Sequence, residues 1–188
     1  MGKSMTYERL DSDELLRLSL SAMNAANDAE ATVLLKALVD REPGHAYGHY
    51  LLAAQHAQLG LMERAEAGFR TAATLAPADF PMPRFQLGQL LVLKGAVDEA
   101  RDTLAPLTQG SDALAAYASA LSSVAIEDIP SAVQHLQQGL ERPQPIPALE
   151  QDMARLLQQL LEREKQAETT DSGARGASFL LSNYGRQH

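Results

Sequence analysis

Three histidines, His45, His49 and His56, are separated by steps of four and seven residues, so on a helix all three project from nearly one face. That spacing could gather a metal ion. No acid or fourth ligand is set beside them in sequence, and the chain contains no cysteine, which removes thiolate metal sites, disulfides and thiol nucleophiles. Packing or partner contact is therefore the expected role of the histidines, with no metal and no cofactor. The chain has no glycine-rich phosphate loop, no GxSxG elbow and no HExxH pair. Serine and acidic residues are plentiful, but on helices they serve as caps and solvated faces. The sequence reads as a protein that is not an enzyme.

Charge and composition narrow the partners. Sixteen basic residues against 24 acidic ones give a net charge of −8, which disfavours nucleic acid because phosphate binding rests on clustered Lys and Arg. Hydrophobic residues make up 45% of the chain and aromatics only 5%, with Leu and Ala dominant and no alternating β-branched runs. That pattern predicts an all-α fold. No stretch approaches the roughly 20 apolar residues of a membrane span, so membrane insertion is not expected and a cytoplasmic location is.

The elements that must hold the histidines are clearest between Ala46 and Pro77. An apolar run from Tyr47 to Leu59 meets Gly60, and a second periodic run from Met62 to Leu75 ends at Pro77, which reads as two helices and a tight turn. Within this stretch Leu52, Ala53, Gly60, Ala65, Phe69, Ala72 and Pro77 stand at the spacings of the tetratricopeptide (TPR) repeat, which the chain resembles. His49 and His56 occupy the places where that family prefers Trp and Tyr. Aligned on the small residue early in each second helix, Ala31, Ala65, Ala100 and Ala132 mark four units, separated by 34, 35 and 32 residues. The resemblance implies a helical solenoid with units near 12–43, 46–77, 81–110 and 112–143, in one domain over 1–166. Asp11 or Ser12 opens the first helix, with Glu14 placed for a capping box. Pro106 should end the second helix of the third unit before Gly110.

A further helix, 146–166, opened by Pro147, carries Leu149, Met153, Leu156, Leu157, Leu160 and Leu161 as one apolar stripe. It either caps the last hairpin or pairs with its copy in a homodimer. Residues 167–188 turn polar and small, AETTDSGARGAS, and should form a flexible tail. The tail nevertheless carries an apolar motif, Phe179, Leu180, Leu181 and Tyr184.

In the TPR family, function lives on the concave surface made by the first helix of each unit. The resemblance assigns Tyr47, Tyr50, Leu51, Met82, Phe85, Gln86, Gln89, Leu114, Tyr117 and Leu121 to a peptide-binding groove. Leu16, Leu20, Met23, Ala54 and Leu93 are its further neighbours. Tyr47, Tyr50, Phe85 and Tyr117 are expected to touch the ligand, since the repeat framework needs no large residue there. These places lack the Lys, Asn and Arg with which some TPR proteins clamp a terminal carboxylate. The expected partner is therefore another protein that supplies an extended hydrophobic segment. Size, acidity and the segment PRFQLGQLLVLKGAVDEARDTL resemble the class II chaperones of bacterial type III secretion. That resemblance implies an adaptor or chaperone serving secretion or cell-envelope machinery. The alternative is a self-associating scaffold whose tail docks in a neighbour's groove.

Overall fold

The computed structural model describes Tyr7 and residues 9–166 with their side chains. The side chains of the expected linker and of the tail motif, Phe179, Leu180, Leu181 and Tyr184, lie outside those residues; the backbone there continues the last helix to Tyr184, where a flexible tail was expected. Among the described residues there are nine α-helices and no strand. The chain divides after Leu104 into two compact units, where the sequence reading treats 1–166 as one domain. Unit 1 contains three helix pairs: α1 (Ser12–Asn24) with α2 (Asp28–Arg41), α3 (Ala46–Gln58) with α4 (Met62–Leu75), and α5 (Met82–Leu93) with α6 (Val97–Leu104). Unit 2 holds a 3-10 turn (Ala105–Leu107), then α7 (Ala113–Ala125), α8 (Ile129–Leu140) and α9 (Pro147–Tyr184). Pro106 ends α6 early, because a proline cannot donate into a continuing helix. α6 stops after eight residues and the chain tightens into the 3-10 turn.

Local chemistry starts each helix where the sequence provides a cap. Asp11 accepts from the Glu14 N–H at 2.8 Å while Glu14 accepts from the Asp11 N–H at 2.9 Å, a complete capping box. Asn27, Asp112 and Asp128 cap α2, α7 and α8 by accepting from the N–H three residues on. Proline stands in the first turn of α5 and of α8, where the missing N–H costs little.

All four hairpins turn alike. The residue five positions ahead of each aligned alanine is left-handed: Ala26 (φ 53°), Gly60 (φ 74°), Gly95 (φ 72°) and Glu127 (φ 59°). The next N–H then donates to the carbonyl five residues back. These bonds are Asn27 to Ala22 at 2.9 Å, Leu61 to His56 at 2.8 Å, Ala96 to Leu91 at 3.0 Å and Asp128 to Ser123 at 3.0 Å. This is a Schellman closure repeated four times. After it, Ala31, Ala65, Ala100 and Ala132 are fully buried, which lets the second helix lie close on the first. In the second hairpin a Cβ built on Gly68 would lie 2.8 Å from the Ala53 Cβ, so only glycine permits that approach.

The apolar stripe of α9 faces inward: Leu149, Met153, Leu157 and Leu160 are buried and the helix packs on α8. The arrangement is that of a cap.

A left-handed residue with a Cβ is strained by about 1–2 kcal/mol, while glycine adds entropy to the unfolded chain. Ala26→Gly and Glu127→Gly should therefore each raise unfolding free energy by about 0.5–1 kcal/mol in urea titrations, whereas Gly60→Ala should lower it by about 1 kcal/mol. Equal losses at all three positions would contradict this account of the turns.

Candidate functional site

The histidines are engaged locally. His45 is the N-cap of α3, its Nδ1 accepting from the Gly48 N–H at 2.9 Å, and His49 Nε2 lies 2.9 Å from the Pro43 carbonyl. The Nδ1 of His56 is buried without a hydrogen-bond partner among the described residues. Burial, and secondarily the positive Arg64, hold the His56 pKa below its ordinary value. No group of three or more His, Asp or Glu among the described residues is arranged to hold a metal.

Packing leaves α3 and α5 each one open strip. α5 is packed by α4 on one side and α6 on the other, so Pro83, Phe85, Leu87, Gly88, Leu90 and Leu91 are all buried. Met82, Gln86, Gln89 and Leu93 remain at least partly accessible, in steps of four, three and four residues that mark one helix face. On α3 the corresponding strip is Tyr47, Tyr50, Ala54 and Ala57.

The two tyrosines nucleate an aromatic cluster. Tyr47 and Tyr50 stack with ring centroids 6.1 Å apart. Phe80, delivered by the α4–α5 connection, meets them edge-on at 5.7 and 5.4 Å, and Phe69 of α4 tilts against Tyr50 at 5.9 Å. Burial raises the Tyr50 pKa, with Tyr47 adding to the shift. Phe69 is also a wall of an adjoining cavity of about 290 Å³, lined by Ala57, Met62, Gln86, Gln89, Leu90, Leu93 and Lys94 as well. Its rim is apolar yet open to solvent: Leu93 is 82% exposed and Met62 52%.

The cation on this cavity wall is already neutralised. Lys94 pairs with Glu66, Glu66 accepts from Arg70 at 2.7 Å, and Arg70 pairs with Glu99. The chain of charges ties α4, the end of α5 and α6 together. Hydrogen bonds from Lys94 and then Arg70 hold the Glu66 carboxyl below the usual carboxylate range. What is left for a ligand is an uncharged apolar wall edged by the amides of Gln86 and Gln89.

Four residues assigned to the groove lie elsewhere. Leu51 and Phe85 are buried in unit 1, and Leu121 and Tyr117 in unit 2, Phe85 and Tyr117 at 0% exposure. Tyr117 fills a hole that Gly139 leaves in α8, where a Cβ would come within 2.4 Å of its ring. Its hydroxyl donates to Gln144 Oε1 at 2.9 Å, and the same amide donates to the Gly139 and Arg142 carbonyls. It is a core anchor of unit 2 and no contact residue. Leu114, on α7 of unit 2, is half-buried. Tyr47 and Tyr50 meet in the aromatic cluster, Gln86 and Gln89 line the cavity beside it, and Met82 stands on the same face of α5 as the two glutamines. The sequence reading missed Phe80, Met62, Ala57 and Lys94. Phe80 was detectable as the lone aromatic of a short connection between Pro77 and Pro81, where a solvated turn would carry polar residues.

No family model matches the sequence, and no curated protein matches it. Solved structures do. A MamA double mutant of strain RS-1 aligns at a TM-score of 0.61 and 18% identity over 94% of this chain and 97% of that one. A MamA fragment from Desulfovibrio magneticus RS-1 aligns at 0.58 and 20% identity over the same shares. A thermophilic TPR protein from Thermus thermophilus aligns at 0.61 and 20% identity, over 82% of this chain and 87% of the other. At these identities the likeness establishes the fold: the helix hairpins are those of tetratricopeptide-repeat proteins.

Two acid-sensitive steps follow from the shifted groups. A histidine held below its unfolded value of 6.5 lets the unfolded chain bind the extra proton first, so the His56 contribution is full above about pH 6.5 and is lost as pH falls below it. Glu66, lowered from 4.5, contributes above that value and is lost as pH falls through its folded pKa. Urea midpoints measured against pH should decline in both windows. His56→Gln should flatten the upper step and Glu66→Gln the lower, and an unchanged profile in either variant would remove the assignment.

Proposed function

We propose that unit 1 is a protein-binding module that holds an extended apolar segment of another protein against the α3 and α5 strips. The observation that carries this is the open cavity beside the Tyr47, Tyr50, Phe80 and Phe69 cluster, with Leu93 and Met62 exposed at its rim. Monomeric proteins rarely leave contiguous apolar surface to water unless it meets something. An apolar side chain entering the cavity contributes roughly 1.5–3 kcal/mol on burial, and two or three such anchors, less the cost of ordering the peptide, leave micromolar affinity. Glutamine amides can meet the carbonyls and N–H groups of an extended backbone. The neutralised Lys94 disfavours an acidic anchor, so specificity rests on shape and spacing of hydrophobic residues.

Such a module acts as an adaptor or chaperone. The class that best fits its acidity and groove is a cytoplasmic chaperone for secretion or cell-envelope machinery, keeping a hydrophobic segment of its client soluble. Among the described residues no helix is long and apolar enough to cross a membrane.

An array of short peptides with apolar residues at alternate positions supplies the test. Wild type should retain Leu- and Phe-containing peptides. Leu93→Asp and Met62→Asp should each weaken retention about tenfold or more, equivalent to at least about 1.4 kcal/mol, at unchanged helicity. Phe85→Asp and Tyr117→Asp should instead lose helicity, because both side chains are core. Retention that survives Leu93→Asp at full helicity would refute the groove.

A further inference from the structure

Sulfur chemistry in this chain falls to methionine alone, since the sequence holds six methionines and no cysteine. The four methionines among the described residues differ sharply in access. Met153 is buried at 1% exposure in unit 2, and Met23 and Met82 are half-buried. Met62 is 52% exposed, and it is also a wall of the cavity beside Phe69. It opens α4 two residues after the left-handed Gly60 and shares the open rim with Leu93. The thioether most open to an oxidant is therefore one that a client must bury.

Resting on the groove reading, we propose that Met62 is a reversible oxidation site whose sulfoxide closes the unit 1 cavity to apolar clients. Hydrogen peroxide is the oxidant. The sulfur attacks one peroxide oxygen, and the S–O bond forms as the O–O bond breaks. The proton of the transferred oxygen passes to the departing hydroxide, which leaves as water, so sulfur loses two electrons and the peroxide gains them. The product is polar where the thioether was apolar. In the free protein this costs little, because half of the residue faces water and the new oxygen stays hydrated. A client side chain entering between Met62, Phe69 and Leu90 strips that water from an oxygen set in an apolar wall. Lys94 does not compensate, since Glu66 already holds it. An amide of Gln86 or Gln89 that turned to the oxygen is lost to the client's backbone. Oxidation thus weakens binding and leaves the fold intact. The coupling is reciprocal, so a bound client shields the thioether. Methionine sulfoxide reductases reverse the step, one enzyme for each sulfur epimer, which makes the site a switch.

Mass-spectrometric peptide mapping of the full chain after graded hydrogen peroxide treatment gives the first readout. Met62 should be oxidised before Met23 and Met82, and Met153 last. A saturating methionine-free peptide containing Leu and Phe, taken from the array, should slow Met62 oxidation about fivefold or more. The chain oxidised at Met62 should retain that peptide about tenfold less well, at unchanged helicity and urea midpoint. Treatment with both reductases should restore retention. Met62→Gln, polar and similar in length, should reproduce the loss without oxidant, and Met62→Leu should give the same retention before and after peroxide. Oxidation of Met23, Met82 or Met153 ahead of Met62 overturns the proposal, as does a Met62 oxidation rate indifferent to the peptide. A peroxide-induced loss that persists in Met62→Leu overturns it too. Peptide retention that Leu93→Asp abolishes but Met62 oxidation leaves unchanged removes the switch and keeps the groove. Retention that survives Leu93→Asp at full helicity removes the groove reading itself.

Discussion

Close approach of paired helix backbones is the constraint on which this molecule rests. It is achieved by buried small residues, Ala31, Ala65, Ala100 and Ala132, each set five positions behind a left-handed turn residue. The turn fixes the register of the second helix against the first, and the alanine lets them touch. Where the residue facing the partner helix is glycine, a neighbouring side chain occupies the space that a Cβ would need. Ala53 meets Gly68 in this way, Leu104 meets Gly88, and Tyr117 meets Gly139. Shape at these points is set by what is missing from one helix and supplied by another.

The same logic decides which side chains are left for a partner. An inner-face residue opposite a glycine hole is drawn into the core, as Tyr117 is. Where the inner face carries only Ala54 and Ala57, no local side chain is large enough to fill the hollow between α3, α4 and α5, and Phe69, Leu90 and Leu93 line it without closing it. The open cavity and the aromatic cluster next to it are two outcomes of one packing rule. The run of charges from Lys94 through Glu66 and Arg70 to Glu99 holds the helices around the hollow and neutralises the cation on its wall. The hollow thus presents hydrophobic shape with amide edges.

The histidines show why spacing alone is weak evidence for metal chemistry. Their common helix face is a consequence of the helix period, but each ring is occupied by a different local demand. His45 closes the start of α3, His49 reaches the Pro43 carbonyl, and His56 is partly buried near Arg64. One face of a helix does not make one site when each side chain already has its own neighbours.

Local patterns were enough to identify the helix pairs, the Asp11–Glu14 cap, the turn at Gly60 and the early end imposed by Pro106. Each of these is governed by residues within a few positions of one another: a cap and its N–H, a turn residue and the carbonyl behind it, a proline and its missing donor. The strips Tyr47, Tyr50 on α3 and Met82, Gln86, Gln89 on α5 came from the resemblance to the repeat family, and each lies along one accessible helix face. Which large residues point outward was not readable. Phe85 and Tyr117 share those expected faces, yet α6 covers one side of α5 and the hole at Gly139, 22 residues along the chain, captures the tyrosine. The contributions of Phe80, Met62 and Lys94 to the site, and the division after Leu104, likewise depend on distant helices meeting. Only the folded chain decides these, because burial is a property of the neighbours a side chain acquires and not of its position in a periodic pattern.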